Sequence, residues 1–362
     1  MSWLDDYRDH LMASRNIVNE AFDETNNIYD SFIRRSHKTA IDTLWKHMTN
    51  NDLLLHTENP ITFFGLRYRG RINNFTNTGD IREYFHIPFS MRGIVPNYRF
   101  SISGQPVLYL GSSILSIERE LETNYDSLAI ACFLPKYRAL KNQRIYPLNN
   151  HITETIENSL STLFDEGFNE MYDNKVFTLS KDSLRSDIYR HILMSLCTFP
   201  RKNKEVFAPE YIIPQILTTA LLENDYDGIQ YPSTRDFSDI SGYHKFAKHY
   251  MNYSIFVPYT SNSDINDDLL NSYTIIINPN HHTYANNPDD LIQKSYKLIK
   301  RIQESIDFNQ DYIVPISIHK LYIEYMRSAK YKNEEYFKSK IGQAELYFFD
   351  LAMDEISNNL SI

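Results

Sequence analysis

The chain has 362 residues, 42% of them hydrophobic and 23% charged, enough to bury a core in one large domain or two to three smaller ones. A formal charge of -9 argues against a broadly electropositive surface for nucleic acid, although a local basic pocket stays open. Only two cysteines occur, Cys132 and Cys197, both in apolar runs, which excludes a disulfide scaffold and points to reduced, buried thiols.

Residues 1–20 are mixed polar and charged, so no secretory leader is expected, and no apolar run approaches the roughly 18 residues of a membrane span. The cytoplasm is the default compartment. From residue 2 to about 55 the pattern is helical: Trp3, Leu4, Tyr7, Leu11 and Val18 recur at helical spacing, and Ile41, Leu44, Trp45 and Met48 begin a further helix. From Pro60 the texture changes. Ile61–Arg71, Pro106–Leu110, Leu128–Leu134 and Arg144–Leu148 read as strands, and a helix carrying Glu120 follows the second of them. Helices are predicted over 152–168, 184–196 and 212–222, then strands at 227–231, 253–257 and 273–277. Asn287-Pro288-Asp289-Asp290 is a helix start, with a capping residue, proline and acids in the first turn. A last helix is predicted over 334–356. The strands are short and irregularly spaced, which fits a mixed α+β layout better than a doubly wound sheet. Three segments result: a helical extension at 1–59, a body at 60–262 and a mostly helical C-terminal extension at 263–362.

Several familiar chemistries have no motif here. There is no Walker loop, no Gly-x-Gly-x-x-Gly, no nucleophile elbow, no cysteine pair at metal spacing and no His-Glu-x-x-His. His281-His282 follow Asn-Pro-Asn and read as a turn, and no metal is expected. Arg185 and His191 match a loose spacing found in some helical ribonucleases, although a solvated helix face explains it as well.

The body carries an ordered set of features. Tyr68-Arg69-Gly70-Arg71 comes first, then Phe85-His86-Ile87-Pro88-Phe89, Asn97-Tyr98-Arg99-Phe100-Ser101, and Leu108-Tyr109-Leu110-Gly111 with Glu120-Leu121. Far downstream stand Ile213-Pro214-Gln215 and Asp227-Gly228-Ile229-Gln230-Tyr231-Pro232-Ser233. In this order the chain resembles, over about residues 60–262, the RES-domain family, bacterial toxins that consume NAD and are usually paired with an antitoxin. The resemblance implies an ADP-ribosyltransferase-like fold, with NAD in a cleft between two small twisted sheets. It implies that the family's Arg, Glu and Ser fall on Arg69, Glu120 and Ser233, with Tyr109 as the strand aromatic and Arg99 as a second arginine. The chain departs from the family at Arg99, reading Asn-Tyr-Arg-Phe-Ser where a Gly-Arg-x-Asn-like element is usual.

These residue types suit the reaction. Cleavage of the nicotinamide–ribose bond passes through an oxocarbenium-like state, which a carboxylate such as Glu120 stabilises while it holds a ribose hydroxyl. Arginine's planar fork of donors suits a pyrophosphate, which gives Arg69 its role, with Arg99 or Arg71 as helpers. Tyr109 can stack on a flat ring or simply fill the core. Ser233 can contact ligand, orient Glu120 or only make a turn. Arg71 reads more readily as a surface charge, and His86 as structural. NAD is then substrate rather than cofactor, with water or phosphate as acceptor. The alternatives are ADP-ribose transfer to a macromolecule, a non-catalytic interaction protein, or a helical ribonuclease. An antitoxin or immunity protein and a second copy of the chain are the candidate partners.

Overall fold

The computed structural model describes residues 3–34, 36–54, 66–72, 79–136, 143–148, 181–201, 207–235, 251–277 and 339–359, with a few more between 290 and 300. In chain order the main elements are α1 (Trp3–Arg34), α2 (His37–Asn50), β1 (Arg67–Ile72), β2 (Val107–Gly111) and α3 (Ile114–Glu120). Next come β3 (Leu128–Pro135), β4 (Ile145–Pro147), α4 (Lys181–Cys197), α5 (Ile212–Leu222) and β5 (Gly228–Pro232). The chain closes with β6 (Met251–Phe256), α6 (Asp267–Asn271), β7 (Tyr273–Ile277) and α7 (Lys340–Asn359). The class is α+β. The helix predicted over 152–168, most of the one starting at Asn287, and the His281-His282 pair lie outside the described residues.

The chain divides into two compact units. One comprises Met1–His56, Tyr98–Phe100 and Tyr146–Pro232; the other comprises Thr57–Asn97, Ser101–Ile145 and Ser233–Ile362.

The first unit is mainly helical. Ser36 starts α2 by accepting the Thr39 N–H on its hydroxyl at 3.1 Å, and Ala40, Ile41, Leu44 and Met48 then fall on one buried stripe. Helix α1 packs against α2 and α4, and α2 against α5. In α5, Ile212, Ile213, Ile216, Leu217, Ala220 and Leu221 are all buried, which is why its sequence is apolar almost throughout. Arg185 of α4 spends its guanidinium inside this unit: Nη1 donates to Glu20 at 2.7 Å, Nε to Asn51 at 3.1 Å and Nη2 to the Tyr189 hydroxyl at 2.7 Å. His47 bonds Glu24 in the same network, whereas His191 is exposed.

The second unit is built on five strands in the order β6-β2-β1-β3-β7, each antiparallel to its neighbours. Alternation along the strands divides the core between two faces. Leu108, Leu110, Ala129, Ala131, Phe133 and Tyr253 share one face with Tyr84, Phe85, Ile265 and Leu269. Tyr68, Leu128, Ile130 and Cys132 face the other way, against Ile114 and Ile117 of α3 and Ala344 and Phe348 of α7. The α7 segment, in the predicted C-terminal extension, thus helps to form this core. Both cysteines are buried free thiols whose burial raises their pKa.

The row has a seam. β1 pairs with β3 at every position from Arg67↔Phe133 to Ile72↔Leu128, and β2 pairs with β6 from Val107↔Phe256 to Gly111↔Asn252. Between β1 and β2 the register holds a single pair among the described residues, Tyr68↔Gly111. All five strands nonetheless belong to one sheet, so the described strands do not form the two separate small sheets that the resemblance implies.

Candidate active site

The site is built on α3, and the sequence around it explains how a seven-residue helix is held in place. Ser113 caps its start, accepting the Ser116 N–H at 3.0 Å, while the Ser116 hydroxyl donates back to the Ser113 carbonyl at 2.8 Å. A second cap comes from a distant element: the carboxylate of Glu345 on α7, only 1% exposed, accepts the Ile114 N–H at 2.6 Å. That places an acid where the helix leaves N–H groups without intrahelical partners. Two glycines set the depth of docking. A Cβ on Gly70 would lie 2.4 Å from Ile117 Cγ2, and one on Gly111 2.4 Å from the Ser116 hydroxyl oxygen. Only glycine at both positions lets α3 lie this close to β1 and β2.

Glu120 ends the helix, half-buried, with three groups converging on its carboxylate. The Ser233 hydroxyl donates to Oε1 at 2.7 Å, and the side-chain amide of Asn252 donates to the same oxygen at 2.7 Å. Arg235 Nε stands 3.5 Å from the other oxygen, Oε2. Two neutral donors thus fix one oxygen, and a more distant cation faces the other. Asn252 is well anchored, being 4% exposed and opposite Gly111 in the β2–β6 ladder. Ser233 also accepts the Arg235 main-chain N–H at 3.3 Å, which ties its hydroxyl into the same turn.

The helix leaves this site through an unusual residue. The Glu122 N–H bonds the Arg119 carbonyl and the Thr123 N–H bonds the Glu118 carbonyl, the paired pattern of a Schellman ending. Its left-handed position, normally glycine, is filled by Glu122 at φ 49. For a residue with a Cβ this conformation costs roughly 1–2 kcal/mol. The Glu122 side chain meets Arg235 Nη1 at 2.7 Å, and Arg235 Nη2 also lies 3.4 Å from the Glu120 carbonyl. The ion pair is well exposed and such pairs contribute only about 0–1 kcal/mol, so it does not clearly offset the backbone cost.

The other expected residues are distributed unevenly. Tyr109 is half-buried beside Ser254, on the α3 face of the sheet, as Asn252 is. Arg69 lies at the seam, its Nη1 donating to the Tyr109 carbonyl at 3.2 Å. Its strand position, beside Ala131, starts the side chain on the opposite face from Gly70. Arg71 pairs with Glu83 at 2.6 Å rather than with Glu120. Arg99 belongs to the first unit, where Nη1 donates to the Cys197 carbonyl at 2.9 Å and the guanidinium lies 5.0 Å from the centre of the Tyr211 ring. His86 is a buried structural link: Nε2 accepts the Asn266 N–H at 3.0 Å, which leaves Nδ1 to donate to the Ile87 carbonyl at 2.8 Å.

Comparison with known proteins gives one informative match. The chain is 32% identical over 223 residues to a protein of Bacillus subtilis (strain 168) named "Putative toxin YopC". The match covers 56% of this chain and 43% of the relative, so it spans less than half the length of that protein. No family model matches. No solved structure matches. The chain is therefore similar to a protein named as a toxin.

Three residues of the site escape a reading of sequence alone. Asn252 is legible in hindsight as a lone amide in the apolar strand Met251–Phe256, with Ser254 two places on. Arg235 stands two residues beyond Ser233 and Glu122 two beyond Glu120, but nothing in either spacing announces that they meet.

Proposed function

We propose that the second unit is the core of a RES-like domain with an ADP-ribosyltransferase-like arrangement, and that it cleaves the nicotinamide–ribose bond of NAD in a toxin setting. The observation that carries this reading is the 2.7 Å hydrogen bond between Ser233 and Glu120, 113 residues apart in the chain. The resemblance puts the family's Ser and Glu on these two positions, and orienting the acid is one of the roles open to Ser233. The single register pair between β1 and β2 supports a site at that seam, where Arg69 bonds the Tyr109 carbonyl. The similarity to a protein named as a toxin supports the setting.

In the reaction, the C1′–N1 bond breaks and its electron pair stays on nicotinamide, which leaves as a neutral molecule. The oxygen of the acceptor bonds to C1′ and its proton is released to solvent. With water the second product is ADP-ribose; with phosphate it is ADP-ribose phosphorylated at C1′. Glu120 Oε2 holds a ribose hydroxyl and opposes the positive charge growing on the sugar. Ser233 and Asn252 keep Oε1 fixed, so the carboxylate need not reorganise as that charge develops. Tyr109, on the same face as Asn252, lies under a ring of the dinucleotide, and the pyrophosphate meets Arg69 only at the seam, because that side chain starts on the opposite face.

The test is product analysis of purified chain incubated with NAD, in buffer with and without phosphate. Nicotinamide release is expected, with ADP-ribose or its phosphorylated counterpart as co-product. Label transferred from NAD to protein or nucleic acid would favour the transferase reading. Neither release nor transfer would end the enzymatic one.

A further inference from the structure

We infer that Glu122 is a positioning residue that draws Arg235 away from Glu120 and so keeps one oxygen of the acid open to substrate. The inference rests on the reading of Glu120 as the working carboxylate, and deepens it. Of the two acids around the guanidinium, the outer one holds it closely: Arg235 Nη1 is 2.7 Å from Glu122, whereas Nε is 3.5 Å from Glu120 Oε2. Oε1 of Glu120 is already taken by Ser233 and Asn252. Oε2 is thus the oxygen left for a ribose hydroxyl, and it is the one a closer arginine would cover. Arginine and carboxylate form strong two-point pairs when nothing prevents it, so a lone Glu120 would be expected to capture its neighbour.

The backbone points the same way. A Schellman ending calls for glycine at the left-handed position, and here the chain carries a glutamate there at φ 49. Strained residues that persist next to a site are a reason to look for a role, and this one holds its carboxylate against the guanidinium. The carboxylate of Glu122 contributes no bond to Glu120 itself; its effect passes through Arg235.

A double-mutant cycle tests this without substrate. Melting temperatures are measured for Glu120→Gln, Arg235→Gln and the pair, once in the wild-type background and once with Glu122→Gly. Glycine suits the left-handed position, so the background variant is expected to fold. The coupling between the two substitutions should be weak in the wild-type background, where the pair stands 3.5 Å apart, and clearly larger with Glu122→Gly, because the released arginine then closes on Glu120. Equal coupling in the two backgrounds would overturn the inference, whatever the enzyme does to NAD. The kinetic arm uses nicotinamide release. Glu122→Gly should lower kcat on the order of 10²-fold, the scale of a blocked or misplaced reacting group. Adding Arg235→Gln should return most of that loss, which a merely structural role for Glu122 would not allow. A Glu122→Gly enzyme as fast as wild type, or one that Arg235→Gln fails to rescue, would also overturn it. If wild type itself leaves NAD intact, the reading of the site falls, and the melting cycle still decides where Arg235 goes.

Discussion

Glu120 is defined by what touches it, and those contacts predict unequal effects of substitution. Ser233 and Asn252 donate to the same carboxylate oxygen, each at 2.7 Å. Either donor alone can hold that oxygen, so Ser233→Ala and Asn252→Ala are each expected to reduce kcat by about tenfold, and the double variant by much more than the product. Steady-state kinetics on the four proteins measures this; strictly multiplicative losses would mean that the two donors do not share a task. Residue-scale chemistry was partly legible in sequence. Glu120 and Ser233 stood out as members of an ordered set, and the structure brings them together. Arg99 is a candidate clamp by its place in the ordered set and Arg71 reads more readily as a surface charge, but sequence shows a charge and not its partner; in the fold Arg99 contacts Cys197 and Tyr211, and Arg71 pairs with Glu83.

For the elements, the decisive feature is how closely α3 approaches the sheet. Gly70 and Gly111 have no room for a Cβ, and nothing in Tyr68-Arg69-Gly70-Arg71 or Leu110-Gly111-Ser112 says which helix will press on them. A Gly111→Val variant is expected to lose about 1–3 kcal/mol through overpacking and to shift α3, with loss of activity beyond what its stability explains. Denaturant melts alongside activity assays check it; an intact rate would show that Glu120 tolerates movement of its helix. Periodicity revealed most elements: α5 occupies the residues expected for it, and β3 and β7 differ from expectation by at most a residue. It could not reveal that Glu345, on a helix more than two hundred residues away, caps α3, because a capping contact across the fold leaves no trace in local spacing.

At the level of the whole molecule, stability should depend on pH through two buried imidazoles, one in each unit. Burial, outweighing the bond to Glu24, lowers the pKa of His47 below its ordinary 6.5. Burial likewise dominates at His86, with the Arg69 charge acting in the same direction against the Ile87 carbonyl and Asp264. Below about pH 6.5 the unfolded chain binds protons that these folded sites refuse, so stability is full above that value and falls as the pH drops toward the lowered values. Melting temperatures between pH 7.5 and about pH 5.5 should decline, and His86→Asn should flatten part of the slope. A slope unchanged by that substitution would remove His86 from the explanation. The division into two units was not visible in composition, because the chain passes between them several times with no Gly- or Ser-rich linker to mark the crossings.

The most direct test of the central claim is the rate of nicotinamide release from NAD by wild type beside Glu120→Gln, which keeps the shape of the side chain and its hydrogen-bonding reach but removes its charge. If Glu120 stabilises the developing sugar cation, the variant should be slower by roughly 10²–10³-fold with little change in KM. A Glu120→Gln enzyme that releases nicotinamide at the wild-type rate would contradict the account.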